Sequence, residues 1–442
     1  MIFSGATIIT APVYICKILK KALRPYPTLI LSFLLSFCQV FVHAQTDSTA
    51  HQVPGTDTSA PGKPEPQQKD ILDFFHSLGK HKENQEQTPV LDSSKYHFSV
   101  VPGIGYTLST GFAGIIAANV AFQTNDPAHT NISSLNAMVV YTQYQQLTVA
   151  LLSNLWTKDN KYNIVTDWRY YKYPQDTYGL GSHTSLANQE NIDYNHFRIH
   201  QILLKKVRPN FYAGLGYFLD YHWNIKQAGL PDGEESDATK YGLPSTTISS
   251  GPVINLLYDN RKNSINPKSG FYANILYRPN FKFMGSDSNW QAMIIDIRKY
   301  FPFPANSRNI IAIWNYYWLT LAGKPPYLDL PSTGWDNYNN TGRGYIQGRF
   351  RSANMLYLEA EYRFGITRDG LLGAVVFANA QSFSNYYPTN YYTSGNFDNI
   401  WPGLGFGIRI KVNKHSDTNI AIDYGFGMDG SRGFFVNLGE LF

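Results

Sequence analysis

An alternation of apolar and polar side chains, which recurs from residue 96 to residue 442, constrains this chain more than any other feature. In the segment from Leu356 to Phe364 every second residue is apolar, and Glu359 and Glu361 lie between them. Successive side chains of a β-strand point to opposite faces. The alternation therefore predicts strands with one apolar face and one face that carries charge.

The pattern comes in segments of about ten residues separated by turn-forming stretches, as in strands that cross a membrane. These segments predict about sixteen strands, an even number as is usual for bacterial outer-membrane barrels. The predicted strands are 97–108, 111–123, 131–142, 146–156, 162–172, 193–205, 210–223, 245–258, 270–279, 290–300, 309–321, 353–365, 371–381, 401–411, 418–426 and 432–442.

The longest connections between these strands all follow odd-numbered strands, which places them on the same rim of a barrel. They are 173–192, 224–244, 322–352 and 382–400. Alternation in a single strand does not distinguish a membrane barrel from a soluble β-sandwich, but a sandwich has no reason to sort its loops in this way. We therefore predict an all-β fold, a transmembrane antiparallel β-barrel of about sixteen strands over residues 96–442.

The first 44 residues have the parts of a secretory signal peptide. A basic region ends at Arg24, an apolar run covers 28–42, and Val42 and Ala44 are the small residues that a signal peptidase reads. The run is shorter than the ~18–20 residues that a membrane helix needs. We predict export, cleavage after Ala44 and location in the outer membrane of a Gram-negative bacterium.

Cleavage removes both cysteines and four basic residues but no acidic one, so the formal net charge falls from +5 to +1. A charge this small gives no reason to expect nucleic-acid binding. Residues 45–95 are rich in Pro, Ser, Thr, Gln and charge, and we predict a disordered periplasmic segment there. Within it, the amphipathic stretch 71–78 either docks on the barrel or a partner, or is a transient helix.

Two motifs lie between the predicted strands. The first contains Asp259, Arg261, Pro267 and Gly270, where Asn-Pro and Ser-Gly favour a tight turn and the two charges can pair. The second is Arg343-Gly344-Tyr345 in the longest loop. Both resemble motifs of the BamA/TamA-like superfamily, the bacterial surface antigen family: its D-x-R periplasmic turn and its V/I-R-G-F/Y loop.

In that family the loop folds back into the lumen, and its arginine contacts acidic residues on the lumen side of two neighbouring strands. The resemblance implies Glu361 as the matching acid, with Glu359 as a further partner. The F-x-D-x-G motif of the second strand reads Phe377-Ala378-Asn379-Ala380-Gln381 here. Asn379 replaces the aspartate, so we expect it to accept a hydrogen bond still but to carry no charge.

The last predicted strands, with Arg409 and Asp423 facing the lumen and an aromatic residue at Phe442, resemble the same barrels. Members that assemble or translocate proteins carry POTRA modules before the barrel. Residues 45–95 lack the POTRA pattern, so the resemblance is to the barrel without POTRA domains.

A seam between the first and last strands is a further expectation. Pro102, Gly103 and Gly105 lie on the first strand, and Pro102 has no N–H to donate to a neighbouring strand. We expect this strand to pair weakly with the last strand, which ends at Phe442, and to open there.

The resemblance implies assistance in the insertion or translocation of proteins at the outer membrane, with client outer-membrane or surface proteins as partners of a monomeric, lipid-embedded barrel. A passive solute channel and a structural or adhesive barrel are alternatives. The sequence has no marked catalytic constellation, so we predict neither an enzyme nor a cofactor. His196 and His200 flank Arg198 on one strand face, which favours a polar lumen wall over a metal site.

Overall fold

The computed structural model describes residues 68–71, 73, 96–126, 129–337, 339–386, 396–414 and 417–442. The predicted signal peptide and most of segment 45–95 lie outside the described residues. The chain is an all-β protein in which consecutive antiparallel strands are hydrogen-bonded to one another around a barrel. This architecture confirms the predicted fold class.

Sixteen of the seventeen described strands form the barrel, and the short β6 lies in a loop. The strands are β1 Tyr96–Thr107, β2 Gly111–Phe122, β3 Ser133–Thr142, β4 Leu147–Trp156, β5 Tyr162–Lys172, β6 Gln175–Thr177, β7 Glu190–Arg208, β8 Phe211–Gln227, β9 Thr246–Asp259, β10 Gly270–Asn280, β11 Trp290–Pro302, β12 Ile310–Gly323, β13 Asn354–Gly365, β14 Leu372–Phe383, β15 Trp401–Asn413, β16 Thr418–Phe426 and β17 Arg432–Leu438.

Two differences from the predicted strands affect the site. β7 extends beyond the predicted strand at both ends, and β8 extends beyond it at its C-terminal end. The last strand, β17, ends at Leu438 and not at residue 442. One short helix, α1 Asp237–Tyr241, lies in the loop before β9, with Ser236 as its N-cap and Gly242 in the left-handed conformation at its end. Among the described residues, no helix is both long and apolar enough to cross a membrane.

The barrel has an apolar outside and a charged inside. Leu203, Leu215 and Ile254 are about half exposed or more on the outer surface, whereas Arg298 and Glu359 are buried in the lumen. A soluble protein buries its apolar residues, so this distribution is the reverse of a soluble one. It is what a barrel surrounded by lipid requires.

Long loops leave one rim, which we call the loop rim; we call the opposite rim the turn rim. Loop 324–353, between β12 and β13, packs at the loop rim against the two long loops that precede it in the chain. The Tyr241 hydroxyl donates to the Pro325 carbonyl at 2.7 Å, and the Arg349 guanidinium donates to the Thr184 carbonyl at 2.9 Å. A cluster that includes Tyr241 and Tyr327 forms an apolar core between these loops.

The ends of the sheet meet differently from the other strand pairs. Within the described residues, no backbone ladder joins β1 to β17, although the two strands are in contact. Leu108, in the turn after β1, covers Gly433 at the start of β17 so closely that a Cβ there would lie 2.4 Å from Leu108 Cγ. The two strands therefore touch at the loop rim by side-chain packing.

Candidate functional site in the barrel lumen

Loop 324–353 carries a fully buried arginine to the centre of the lumen. Arg343 Nη1 lies 2.6 Å from Asp423 Oδ2, and Nη2 contacts both Glu359 and Glu361. Its guanidinium also lies over the Phe377 ring, 3.6 Å from the ring centroid. One arginine thus joins the loop to β13, β14 and β16 through charge-assisted hydrogen bonds and a cation–π contact.

Glycines let the loop approach the barrel wall closely enough for these contacts. Gly344 has a φ of +104°, a conformation that favours glycine. Across from it on β16, a Cβ added to Gly425 would lie 2.6 Å from the Gly344 nitrogen. The loop backbone therefore packs directly on the strand, which brings the Arg343 side chain within reach of the acids.

Tyr345 holds the loop on the other side of the glycine. Its hydroxyl donates to the Pro402 carbonyl at 2.6 Å and accepts from the Met428 N–H at 2.9 Å. The ring packs edge-on against Phe350, with 5.7 Å between centroids. All three residues of the predicted Arg-Gly-Tyr motif therefore contact the barrel wall or the loop core.

Asn379 contacts the loop in a different way from the expected one. The sequence suggested that it would accept a hydrogen bond in place of the family's aspartate. Instead, its Nδ2 donates to the Arg343 backbone carbonyl at 2.9 Å. Two residues along β14, Gln381 Oε1 accepts a hydrogen bond from Thr333 Oγ1 of the loop at 2.9 Å. The two amides thus fix the loop backbone, while the acids on β13 and β16 bind the guanidinium.

The charges around Arg343 form one network of three arginines and four carboxylates. Its members are Arg343, Arg363, Arg409, Glu359, Glu361, Asp423 and Glu440. Charges this deeply buried are tolerated only when they are paired, and removal of one partner typically costs about 3–5 kcal/mol. Sequence motifs pointed to Arg343, Glu359 and Glu361 but left Glu440 out.

Glu440 joins the network because the chain turns into the lumen after β17. Gly439 has a φ of +92°, and Glu440 Oε2 then lies 2.8 Å from Arg409 Nε. Phe442 follows inside the barrel, stacked on Trp314 with 5.2 Å between ring centroids. We expected Phe442 at the seam on the last strand; the structure places it in the lumen.

The lumen segment 439–442 and loop 324–353 also bind each other. Asn340 Nδ2 in the loop donates to the Leu441 carbonyl at 2.6 Å. Arg363 Nη2, on β13, donates to the Phe442 carbonyl at 3.0 Å and so binds the end of the segment to the barrel wall. Together the two segments occupy the lumen beside the charged network.

The turn motif lies at the turn rim and supports the same segment. Arg261 binds Asp259 through Nε and Nη2, at 2.9 and 2.8 Å, and Gly270 has a φ of +116°. Pro267 is buried in this turn. The Ile265 carbonyl, also in the turn, accepts a hydrogen bond from the Glu440 N–H at 3.3 Å. The turn therefore reaches the point where the chain leaves β17.

A second polar cluster lines the lumen nearer the loop rim. Asp220 on β8 binds His196 and His200, each through Nε2 at 2.8 Å, and Arg278 at 2.8 Å. The sequence placed the two histidines on a polar face but did not identify Asp220. Loop 324–353 contributes Asp329 to this region.

Asp329 accepts a hydrogen bond from Ser249 Oγ at 2.5 Å. Burial, together with the nearby charge of Asp220, raises the pKa of Asp329 from its ordinary value of 3.8 to about 7. Asp329 thus ties the loop to the lumen wall near the loop rim, in addition to the contacts made by Arg343, Tyr345 and Thr333.

The predicted seam residues lie on β1, within its ladder to β2. Pro102 is opposite Ile116, and Gly103 and Gly105 are opposite Ile115 and Ala113. The edge of β1 that is not paired with β2 faces β17. The three residues therefore lie where β1 lacks a described ladder on one side.

Comparisons with solved structures find proteins with a similar fold. The chain is similar to BamA from Haemophilus ducreyi lacking POTRA domains 1–3, with 15% identity and a TM-score of 0.52, over 77% of this chain and 70% of that one. It is also similar to CdiB from Acinetobacter baumannii, with 13% identity and a TM-score of 0.50, over 78% of this chain and 60% of that one.

No protein-family model matches the sequence, and no curated protein sequence matches it. At identities this low, similarity to a solved structure establishes the fold alone. The resemblance that the motifs indicated is confirmed at that level: this chain shares the β-barrel fold of BamA and CdiB.

Proposed function

We propose that the protein assists the insertion or translocation of proteins at the outer membrane of a Gram-negative bacterium, by opening between β1 and β17. The observation that carries the proposal is the junction of these two strands. All other neighbouring barrel strands share a ladder, whereas the described parts of β1 and β17 share none. Separating them breaks few backbone hydrogen bonds, which are the main obstacle to opening a barrel in lipid.

The diversion of residues 439–442 supports the same proposal. Beyond Leu438 the chain leaves the wall, so its backbone groups are no longer available to pair with the first residues of β1. Glu440 and Phe442 are held in the lumen by Arg409 and Trp314. The charged network therefore keeps the last strand short.

Arg343 acts in this proposal as a positioning residue. It fixes loop 324–353 against β13 and β16, and the loop in turn binds Leu441 through Asn340. We infer that a docked loop keeps the lumen segment and the seam in the arrangement described above. Client outer-membrane or surface proteins are the proposed partners.

A passive solute channel requires a water-filled path through the barrel. Loop 324–353 and residues 439–442 both lie in the lumen, and the long loops pack together at the loop rim. These contacts favour a mostly closed barrel and therefore the assembly function. A steady large conductance in planar bilayers would support the channel instead.

The proposal is tested by quantitative proteomics of the outer membrane and cell surface. A strain that lacks the gene is compared with its parent and with strains that express the wild type, Arg343→Ala or Arg298→Ala. Arg298 is a matched control, since it is a lumen arginine paired with Asp296 on its own strand.

We expect a defined set of surface proteins to be lost without the gene and restored by the wild type and Arg298→Ala, but not by Arg343→Ala. An unchanged surface proteome in the deletion strain contradicts the proposal. Conductance and solute uptake would then distinguish a channel from an adhesive barrel.

A further inference from the structure

A group of exposed cations lies where two neighbouring turns meet at the turn rim. The turn between β4 and β5 and the end of the β7–β8 hairpin enclose an open groove of about 610 Å³. Its cations, which define the basic groove, are Lys158, Lys161, Lys206 and Arg208. Asp159 is the acidic residue among those that line it.

Strand register brings these cations together. Lys205 on β7 lies opposite Tyr162, the first residue of β5, so the β7–β8 hairpin continues past the end of β5. The Lys206 N–H donates to the Lys161 carbonyl at 2.9 Å, and Lys206 Nζ donates to the Asp159 carbonyl at 3.3 Å. Four positive side chains therefore surround one groove with a single negative one.

The outer surface of β4, β5 and β7, together with the adjacent β2 and β3, carries an apolar groove of about 420 Å³. Ala118 and Ala137 form part of it, and the larger side chains of Val149, Trp168 and Phe197 also line it. Val149, Trp168 and Phe197 are each about two fifths exposed, on the face of the barrel that is in contact with lipid. Small residues beside large ones leave a depression in an otherwise convex surface.

The spacing of the two grooves matches the length of a lipid. Tyr162, beside the basic groove, and Trp168, in the apolar groove, lie six positions apart on the outer face of β5. At ~3.3 Å per residue this is about 20 Å along the strand. A strand tilt of ~35–45° reduces it to about 15 Å along the membrane normal, which is half the thickness of the hydrocarbon core.

We propose that the two grooves form a binding site for one anionic phospholipid of the membrane leaflet at the turn rim. The basic groove binds the headgroup phosphate, and one acyl chain follows β5 into the apolar groove beside Trp168. Lys and Arg bind phosphate through charge-assisted hydrogen bonds, and exposed Val207 and Leu203 lie where the headgroup region meets the hydrocarbon. This proposal does not require the seam to open.

Native mass spectrometry of the purified barrel in detergent tests the proposal, with phosphatidylglycerol and phosphatidylcholine of identical acyl chains as probes. We expect one phosphatidylglycerol to be retained in preference to phosphatidylcholine. In the triple variant Lys158→Gln/Lys161→Gln/Lys206→Gln, we expect the affinity for phosphatidylglycerol to fall roughly tenfold or more.

The matched control removes three exposed cations elsewhere on the turn rim and should retain phosphatidylglycerol like the wild type. It is Lys262→Gln/Lys299→Gln/Arg368→Gln. Equal retention by the triple variant and the wild type, or equal loss in the control, overturns a localised headgroup site. A difference in gel migration between unheated and heated samples verifies that each variant forms a folded barrel.

A third variant tests the acyl chain. Ala137 is exposed on the lipid face, so Ala137→Phe fills the apolar groove without entering the lumen. We expect this variant to retain phosphatidylglycerol more weakly than the wild type does. Inorganic phosphate should displace phosphatidylglycerol from the wild type only weakly. Strong competition by inorganic phosphate, with no effect of Ala137→Phe, would refute a lipid site and indicate a simple anion site.

Discussion

The charged network around Arg343 predicts a large effect of a single substitution. Arg343→Ala removes one of three arginines and leaves four buried carboxylates with two partners, Arg363 and Arg409. Loss of one partner from a buried pair costs about 3–5 kcal/mol. At 1.4 kcal/mol per factor of ten, the loop should undock roughly 100- to 4,000-fold more often.

Limited proteolysis of the folded barrel measures this effect. Chymotrypsin is suitable because its aromatic sites in loop 324–353 are the same in both proteins. When opening and closing are fast, cleavage follows the population of the open loop. We therefore expect the loop to be cleaved at least a hundredfold faster in Arg343→Ala, while the barrel strands remain protected.

Two further variants make the test specific. Arg298→Ala removes a lumen arginine that pairs with Asp296, so loop cleavage should remain within about threefold of the wild type. Asp423→Asn keeps a hydrogen-bonding group near Arg343 Nη1 and should have an intermediate effect. Equal cleavage rates in Arg343→Ala and the wild type would refute the reasoning that the arginine holds the loop.

Three other predictions concern the same segments. Gly425→Val places a side chain against the Gly344 backbone and should expose the loop to chymotrypsin as Arg343→Ala does. Burial raises the pKa of Asp329 to about 7, so its protonated form favours the docked loop; this contribution is complete below about pH 4 and is lost progressively as the pH rises to about 7. Protease protection, normalised at each pH to the cleavage of an unfolded substrate, should therefore fall between about pH 4 and 7 and change little above that, and Asp329→Asn should abolish this change. Phe442→Ala removes a ring stacked in the lumen and should lower the free energy of unfolding, measured by urea titration in micelles, by about 3 kcal/mol; an unchanged midpoint would contradict its packing role.

Much of the fold was predictable because alternation is a local property. In Leu356 to Phe364 the charged face predicted from the sequence is the lumen face of β13, and Glu359 and Glu361 are buried there. The strand ends were harder to predict. β7 and β8 continue past the adjacent strands because they pair with each other along their whole length, and pairing of this kind leaves no local signal in the sequence.

The site was predictable in part. The Arg-Gly-Tyr motif pointed to Arg343, but Asp220 gave no signal, because its partners His196 and His200 lie on the preceding strand, β7, and meet it only through register. Glu440 did interrupt the apolar alternation of the last strand. That interruption is the sequence signal that the chain leaves the barrel wall before Phe442.

Cross-linking β1 to β17 tests whether the two strands separate during function. Leu108 and Gly433 are in contact across the seam, so Leu108→Cys/Gly433→Cys can form a disulfide. Both native cysteines, Cys16 and Cys38, lie in the predicted signal peptide, so cleavage leaves the engineered pair. The control pair Asn119→Cys/Asn136→Cys joins β2 to β3, which already share a ladder and do not form the seam.

The measurement is the surface proteome that each oxidised variant restores in a strain lacking the gene. We expect the oxidised seam pair not to restore the surface proteome, a reductant to recover it, and the control pair to restore it in both states. If a fully cross-linked seam restores the surface proteome as well as the wild type does, β1 and β17 do not separate during function.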